Sequence, residues 1–469
     1  MSASSVSSGR STGSYGRGAR ILSIGIASTG LLTFAYFSIA SHVLESAAAK
    51  RIDVLWSVMF VIISVIYRPI EQLLSRTIAE RRARGQAAHS LRVPMAIQAT
   101  FALIFLVAAL AFHERLINNV FEGETALYAV LVVGTLAYAA SYFARGWLAG
   151  HQRFGLFGGL VLMESISRLC FAVAVAIGLA SGETAVALGI AAAPFVSLVV
   201  VPAAFARRGG AAIRRDAEIA EAPLTVDEAD AALAGPGTEG VQEAAAHDQL
   251  SLRRGGGFAI WVSGIMLSEQ TLLNAAVLTV DATALNRALA GIVFNVLLIA
   301  RAPLQLFQAI QTSLLPHLSG LEATAGHEAF ARAIRVTVLA IAAFTAVVVI
   351  GLFLVGPYFL RHILFGQDYV YHRLGLVLIG VGMGLHLTSG ALNQAALARD
   401  RAGAAAGCWL LTAALFVAWM FLPAISDQLL RAEVGYAGAT ALLAVTLIVL
   451  YRRGSQAPAR ATPTRAPAG

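Results

Sequence analysis

The sequence predicts an all-α integral membrane protein, with about twelve transmembrane helices in two pseudo-symmetric six-helix bundles. Three observations predict it. Hydrophobic residues make up 58% of the chain and charged residues 13%, with a mean hydropathy of +0.74, whereas soluble domains are about half apolar and a quarter charged. The apolar residues fall in continuous runs of the length a bilayer core demands, roughly 20 residues per helix, and not in the period-two alternation of a membrane barrel. The arginines gather in every second gap between those runs. Of the 34 basic residues, 24 lie in one set of flanks, 7 in the other, and Arg68, Arg168 and Arg301 lie inside apolar stretches. Basic residues retained on the cytoplasmic side give that asymmetry, so both termini are expected in the cytoplasm, with the protein multi-pass in the cell membrane.

Taken in order, the chain opens with a Ser/Gly-rich tail, residues 1–18, too poor in apolar groups to fold. Residues 19–206 then hold six spans, near 20–43, 53–75, 92–113, 124–148, 155–181 and 184–206. The first follows Arg17 and Arg20 like a secretory signal, but such h-regions run to about 15 residues and this one is longer, so it reads as a retained span. A gap at 207–254 separates the halves. Basic at its ends, acidic between (Asp216 to Asp248) and without aromatic residues, it reads as a flexible cytoplasmic linker. Six more spans fill 255–452, near 255–280, 284–313, 330–355, 373–397, 403–424 and 428–451. A Pro/Ala/Thr-rich tail, 453–469, closes the chain.

The halves carry traces of a repeat. Arg68-Pro69 with Gln72 lies late in the second span, and Arg301-Ala302-Pro303 with Gln305 lies in the eighth. His151-Gln152-Arg153 after span four is echoed by Arg399-Asp400-Arg401 after span ten. Each half holds an even number of spans, so the repeat is parallel, with its axis along the membrane normal.

Ionisable groups inside spans are costly and usually face a bundle interior or a wet cavity. They are Arg68, Glu71, Glu164, Arg168, Glu269, Arg301 and His386, with Arg145 at the end of span four. Arg301, Gln305, Gln308 and Thr312 recur at helical spacing, which makes one wet face of span eight, either cavity lining or interhelical glue. Arg68 with Glu71 and Glu164 with Arg168 stand three and four residues apart, so each pair either neutralises itself or leaves its arginine to an anionic ligand. Guanidinium groups bind phosphate oxygens in pairs, which suits such a ligand. Tyr138, Ser141, Tyr142 and Arg145 form a stripe that reads first as a snorkel to headgroups. Glu269 has Ser263, Gln270 and Asn274 near it and is the first candidate for a proton or cation site, while His386 reads as packing.

The chain has no zinc-ligand spacing, no phosphate-binding loop and no nucleophile elbow, so no catalytic role and no cofactor are expected. Energy for any transport would come from a gradient of protons or sodium, the membrane potential or downstream consumption. The positive charge of +8 is accounted for by topology and anionic lipid, without nucleic acid as a partner. Cys170 and Cys408, in separate spans, read as packing residues.

Two segments carry a family resemblance. Tyr67-Arg68-Pro69-Ile70-Glu71-Gln72 running on to Arg76 and Arg81-Arg82, and Ala144-Arg145-Gly146-Trp147-Leu148-Ala149-Gly150-His151-Gln152-Arg153-Phe154-Gly155, together with the span number, look like polysaccharide-export members of the multidrug/oligosaccharidyl-lipid/polysaccharide (MOP) flippase superfamily. The resemblance covers about 20–452. It implies a MATE-like, V-shaped pair of bundles that carries an undecaprenyl-diphosphate-linked oligosaccharide to the outer leaflet by alternating access. It also implies that Arg68 and Arg301 hold the diphosphate, with Gln305, Gln308, Arg168 and Arg145 as further substrate contacts and Glu269, Glu71 and Glu164 as coupling candidates. Partners would be the bilayer, the lipid-linked sugar and polysaccharide-assembly proteins. The alternatives are a multidrug/cation antiporter of the same fold, a membrane-embedded glycan ligase or polymerase, and a scaffold in an assembly complex.

Overall fold

The computed structural model describes residues 25, 28–84, 91–199, 252–283, 288–324, 326–360 and 372–455. The expected linker, up to 251, and both tails, up to 24 and from 456, lie outside the described residues, as does the loop at 361–371.

The first half begins with α1 (28–43). It continues through α2 (Ser46–Ile66), α3 (Arg68–Ala83), α4 (Arg92–Ala111), α5 (Thr125–Gly150), α6 (Phe154–Ala176) and α7 (Gly182–Leu198). The second half holds α8 (Leu252–Thr283), α9 (Ala288–Thr324), α10 (Gly326–Phe359), α11 (Arg373–Ala398), α12 (Ala402–Phe421) and α13 (Gln428–Ser455). Each expected span finds its helix, and no strand occurs among the described residues. Seven of these helices meet the length and apolarity of a bilayer crossing unaided, and α7 is shorter.

The second span departs from expectation. It is two helices, α2 and α3, broken at Tyr67 just before Pro69, and together they run well beyond the expected 53–75. Proline has no N–H to offer the carbonyl four residues back and its ring crowds that turn, so the helix breaks there. In the other half Pro303 sits inside an unbroken α9. The first described residues of the second half, from Leu252, are already helical, three residues before the expected boundary.

Large apolar side chains point outward on α4 (Leu103, Ile104 and Val107) and on α10 (Val347, Ile350 and Leu354), while Arg68, Glu71, Glu164, Arg168 and Glu269 are buried. That arrangement suits a hydrocarbon solvent, in which apolar surface costs nothing and polar groups need partners inside the bundle. Cys170 is exposed on the outer surface, so its expected packing role is corrected, whereas Cys408 is half-buried.

Contacts gather the arginine-rich flanks on one face. Arg82 donates to the His151 carbonyl at 2.8 Å, Arg399 to Glu322 at 3.2 Å and Arg401 to the Leu450 carbonyl at 3.2 Å. On the opposite face Arg51 bonds Glu183 at 3.0 Å and Glu122 at 3.1 Å, and Trp419 donates to the Arg431 carbonyl at 3.0 Å.

The two echoing turns have the same backbone. Gln152 and Asp400 both take the left-handed conformation, with φ of 56° and 59°. Arg153 N–H bonds Leu148 O at 2.8 Å and Arg401 N–H bonds Ala396 O at 2.9 Å, the same five-residue closure in each half.

Between the halves, α3 packs on α9 and α8, and α8 reaches α2 and α4. Ile70 and Leu73 of α3 join the apolar cluster of the second half. Within the first half α3 lies close against α5 because Gly146 and Gly150 lack side chains. A Cβ at Gly146 would stand 2.9 Å from the Glu71 backbone, and one at Gly150 2.7 Å from Ile78 Cβ. This is a small-xxx-small contact, which lets two helix backbones approach.

Candidate functional site

Among the described residues, inward ionisable groups cluster in each half and at the interface between them. The break at Tyr67 places Arg68, Glu71, Gln72 and Ser75 on the first two turns of α3, all buried. Facing them across the interface are Gln311, Thr312 and Leu315 of α9. The space they enclose is about 10 Å³, enough for about one water molecule. Gln311 lies across α11 at Gly390, where a Cβ would stand 2.3 Å from its amide nitrogen.

Arg68 is 9% exposed. The expected Arg68–Glu71 pair does not form, and neither residue makes an ion pair with another described residue. Instead Arg68 stands within electrostatic reach of two carboxylates, Glu71 in its own half and Glu269 in the other. Arg68 and Glu71 line the same small space at the interface.

In the first half the expected Glu164–Arg168 pair is replaced by another. Glu164 is ion-paired with Arg145, accepts from Ser141 Oγ at 2.5 Å and from Ser197 Oγ at 3.4 Å, and is 2% exposed. Arg145 also lies over the Tyr142 ring at 4.5 Å. The stripe of Tyr138, Ser141, Tyr142 and Arg145 therefore turns into the bundle and does not snorkel to headgroups. The reason is proximity: α6 brings the Glu164 carboxylate to that face, and the Arg145 guanidinium pairs with it inside the bundle. Arg168 is held by hydroxyl groups and an aromatic face. It donates to Tyr138 Oη at 3.0 Å and Ser165 Oγ at 2.8 Å, and its guanidinium carbon sits 4.5 Å from the Trp56 ring centre. No carboxylate among the described residues pairs with it, and its Nε has no hydrogen-bond partner.

In the second half, α8 and α11 bring Glu269 and His386 together, at 4.0 Å between Oε1 and Nε2. His386 Nδ1 meets Tyr436 Oη of α13 at 3.1 Å, and the ring stands edge-on to Trp409 at 5.5 Å. His386, read from sequence as packing alone, thus shares a hydrogen bond with Tyr436, while its Nε2 faces Glu269 beyond hydrogen-bond reach and has no hydrogen-bond partner among the described residues. Helical spacing could not show this, because the three residues come from three helices. Asn274 turns back to its own helix, bonding the Gln270 carbonyl at 2.8 Å.

Arg301, Gln305 and Gln308 lie on α9, but their side chains are outside the described residues. Thr312, the last member of that expected stripe, does line the central cavity, and Gln311 beside it does so too. No group of three His, Cys, Asp or Glu that could hold a metal ion occurs among the described residues.

At the arginine-rich face, Asp400 bridges the halves. Its Oδ1 accepts from Arg76 of α3 at 3.0 Å and its Oδ2 from Arg254 of α8 at 2.6 Å. Partial burial pushes the Asp400 carboxyl up, but the two guanidinium groups outweigh it and hold it below the usual carboxylate range. The Arg76 guanidinium also stacks over Phe258 at 5.3 Å.

The fold these helices make is that of the multidrug and toxin extrusion (MATE) transporters of the MOP superfamily. The chain is similar to the Vibrio cholerae MATE transporter VcmN, solved as a point mutant, at 12% identity and a TM-score of 0.70, over 94% of this chain and 96% of that one. It is similar to an outward-facing multidrug resistance MATE transporter of the MOP superfamily at 14% identity and a TM-score of 0.68, over 94% and 95%. It is similar to the MATE transporter ClbM, solved with Rb+, at 13% identity and a TM-score of 0.65, over 96% and 95%. No protein-family profile and no curated protein matches the chain.

Proposed function

We propose that this protein is a membrane transporter that moves a polyprenyl-diphosphate-linked oligosaccharide from the cytoplasmic to the outer leaflet by alternating access. In this reading two six-helix bundles, 19–206 and 255–452, are joined by a cytoplasmic linker at 207–254, with both termini cytoplasmic. The observation that carries it is Arg68, a buried guanidinium at the interface of the halves, without an ion pair among the described residues and set among amide and hydroxyl groups together with the Glu71 carboxylate. A diphosphate cannot enter hydrocarbon without replacement hydrogen bonds. An always-charged planar donor flanked by Gln72, Ser75, Gln311 and Thr312 supplies them. Arg301, Gln305 and Gln308 on α9 would complete the clamp from the other half. A cavity sized for one water holds no diphosphate, so the halves must part along α3 and α9 to admit it.

Arg145 and Arg168 are assigned lesser roles. Arg145 is occupied by Glu164, so a substrate contact there requires that pair to open. Arg168, held only by neutral partners among the described residues, keeps its charge available to an anionic ligand.

A multidrug/cation antiporter of the same fold is the second reading. It is favoured by the buried carboxylates Glu71 and Glu269 beside Arg68, and ClbM is a neighbour solved with Rb+. Either reading allows coupling to a proton or sodium gradient through Glu269, with Glu71 and Glu164 as secondary candidates.

The test is complementation of a deletion strain. Arg68→Ala and Arg301→Ala should each abolish export of the cognate glycan while the protein remains folded and in the membrane. Full complementation by both removes the diphosphate clamp, and dye efflux that survives both changes but is lost in Glu269→Gln selects the antiporter. In the flippase, Glu269→Gln should make flipping independent of an imposed proton or sodium gradient. Unchanged dependence removes Glu269 from the coupling role.

A further inference from the structure

A second, unassigned cavity of about 380 Å³ opens at the arginine-rich face, away from the central site. It lies where the first turns of α8 meet the α11–α12 turn and the start of α12. Arg253 and Arg254 line its outer edge, Phe258 and Trp261 form a wall, and Gly257 and Gly403 leave it open. Trp261 lies against α12 because Gly403 has no side chain, since a Cβ there would stand 3.3 Å from the indole.

From this geometry we infer that the cavity binds the phosphate headgroup of an anionic glycerophospholipid from the leaflet at that face. Three features support this occupant. The charge is complementary: among the described residues lining it, two guanidinium groups stand against one carboxylate, Asp400, which is itself shared with Arg76 of the other half. Arg254 already donates to Asp400, and Arg253 is exposed and makes no ion pair with another described residue, so a phosphodiester gains one unengaged guanidinium and a share of a second. Trp261, half-exposed beside these arginines, has the amphipathic ring that settles at headgroup level.

The third feature is continuity with the lipid-facing surface. Beside the cavity Ile260 of α8 points outward, and deeper along the same pair of helices so do Leu267 of α8 and Leu411 of α12. A headgroup in the cavity can therefore leave its acyl chains on apolar surface. Basic pockets between transmembrane helices near the cytoplasmic surface recognise anionic headgroups in this way.

Arg254 joins the cavity to the contact between the halves. A phosphate that takes a share of Arg254 competes with Asp400 for it, so the bound lipid acts on the same carboxylate that holds α3. Lipid composition would thereby reach the interface of the bundles without entering the central site.

The test uses the full-length protein in detergent, titrated with phosphatidylglycerol or phosphatidylcholine, with bound lipid counted by native mass spectrometry. Wild type should retain phosphatidylglycerol in preference to phosphatidylcholine. Arg253→Ala should weaken it about fivefold, the contribution of one arginine near a membrane surface. Gly257→Leu should also weaken it, because the new side chain grows into the cavity from a position where a Cβ meets nothing within 4 Å. Arg452→Ala with Arg453→Ala, on the same face but outside the cavity, should leave binding unchanged. Equal loss in that control, or unchanged binding in both cavity variants, overturns the site. Binding of inorganic phosphate without any preference between the two lipids overturns the lipid assignment in favour of a soluble phosphate ligand.

Discussion

Replacing Glu164 with glutamine keeps the shape of the first-half polar cluster and removes its charge. Glutamine can still accept from Ser141, so the hydroxyl contact survives. What is lost is the partner of Arg145, a guanidinium with a side-chain exposure of 11%. Removing one member of a buried pair costs about 3–5 kcal/mol, because the other charge is left without compensation. The Tyr142 face under Arg145, at 4.5 Å, returns about 1 kcal/mol at most and does not replace the carboxylate. With Ser141 retained, the low end of the range applies, a loss of about 3 kcal/mol, or roughly 150-fold in the folding equilibrium. The assay is unfolding of the detergent-solubilised protein in increasing dodecyl sulfate, followed by tryptophan fluorescence. Arg145→Met combined with Glu164→Leu should recover part of the loss, since it removes both members of the pair, while Glu71 keeps Arg68 as its remaining cationic neighbour. A Glu164→Gln protein within about 0.5 kcal/mol of wild type, or a double variant no better than the sum of the singles, would refute the pairing.

Other consequences are simpler. Gly146→Leu should drive α3 away from α5, because even its Cβ meets the Glu71 backbone at 2.9 Å. Overpacking of this kind costs about 1–3 kcal/mol and should show as a lowered unfolding midpoint. Asp400→Asn should loosen the arginine-rich face at neutral pH, read as a wider separation between spin labels on α3 and α12. The same opening should appear in wild type only in acid. The Asp400 carboxyl is held below its unfolded value, so its contribution is full above about pH 4 and is lost as pH falls through the depressed value. Labels that separate near pH 6 would contradict that sign. Arg399→Ala should destabilise the second half, losing both the Glu322 bond at 3.2 Å and the stack on Phe330 at 4.2 Å.

Span number and the alternation of flanks were legible because each depends on local composition. A run of about 20 apolar residues is long enough to cross a bilayer, and arginine counts differ between flanks whatever the helices later touch. The repeat was legible at the turns, where Gln152 and Asp400 share a backbone conformation set by neighbours a few residues away. The identities of the buried ionisable residues were legible too, since a charge inside an apolar run stands out.

Their partners were not. Spacing on one helix paired Arg168 with Glu164 and Arg68 with Glu71, and both pairings dissolve in the structure. Glu164 finds Arg145 on α5, His386 approaches Glu269 from α11, and Gln311 reaches the cavity past Gly390. Intramembrane charges answer to whichever polar group the packing of helices brings nearest. Sequence alone determined which residues had to be satisfied inside the membrane. Only tertiary packing decided by whom, because those partners stand on different helices, and no one-dimensional period carries information about which helices will touch.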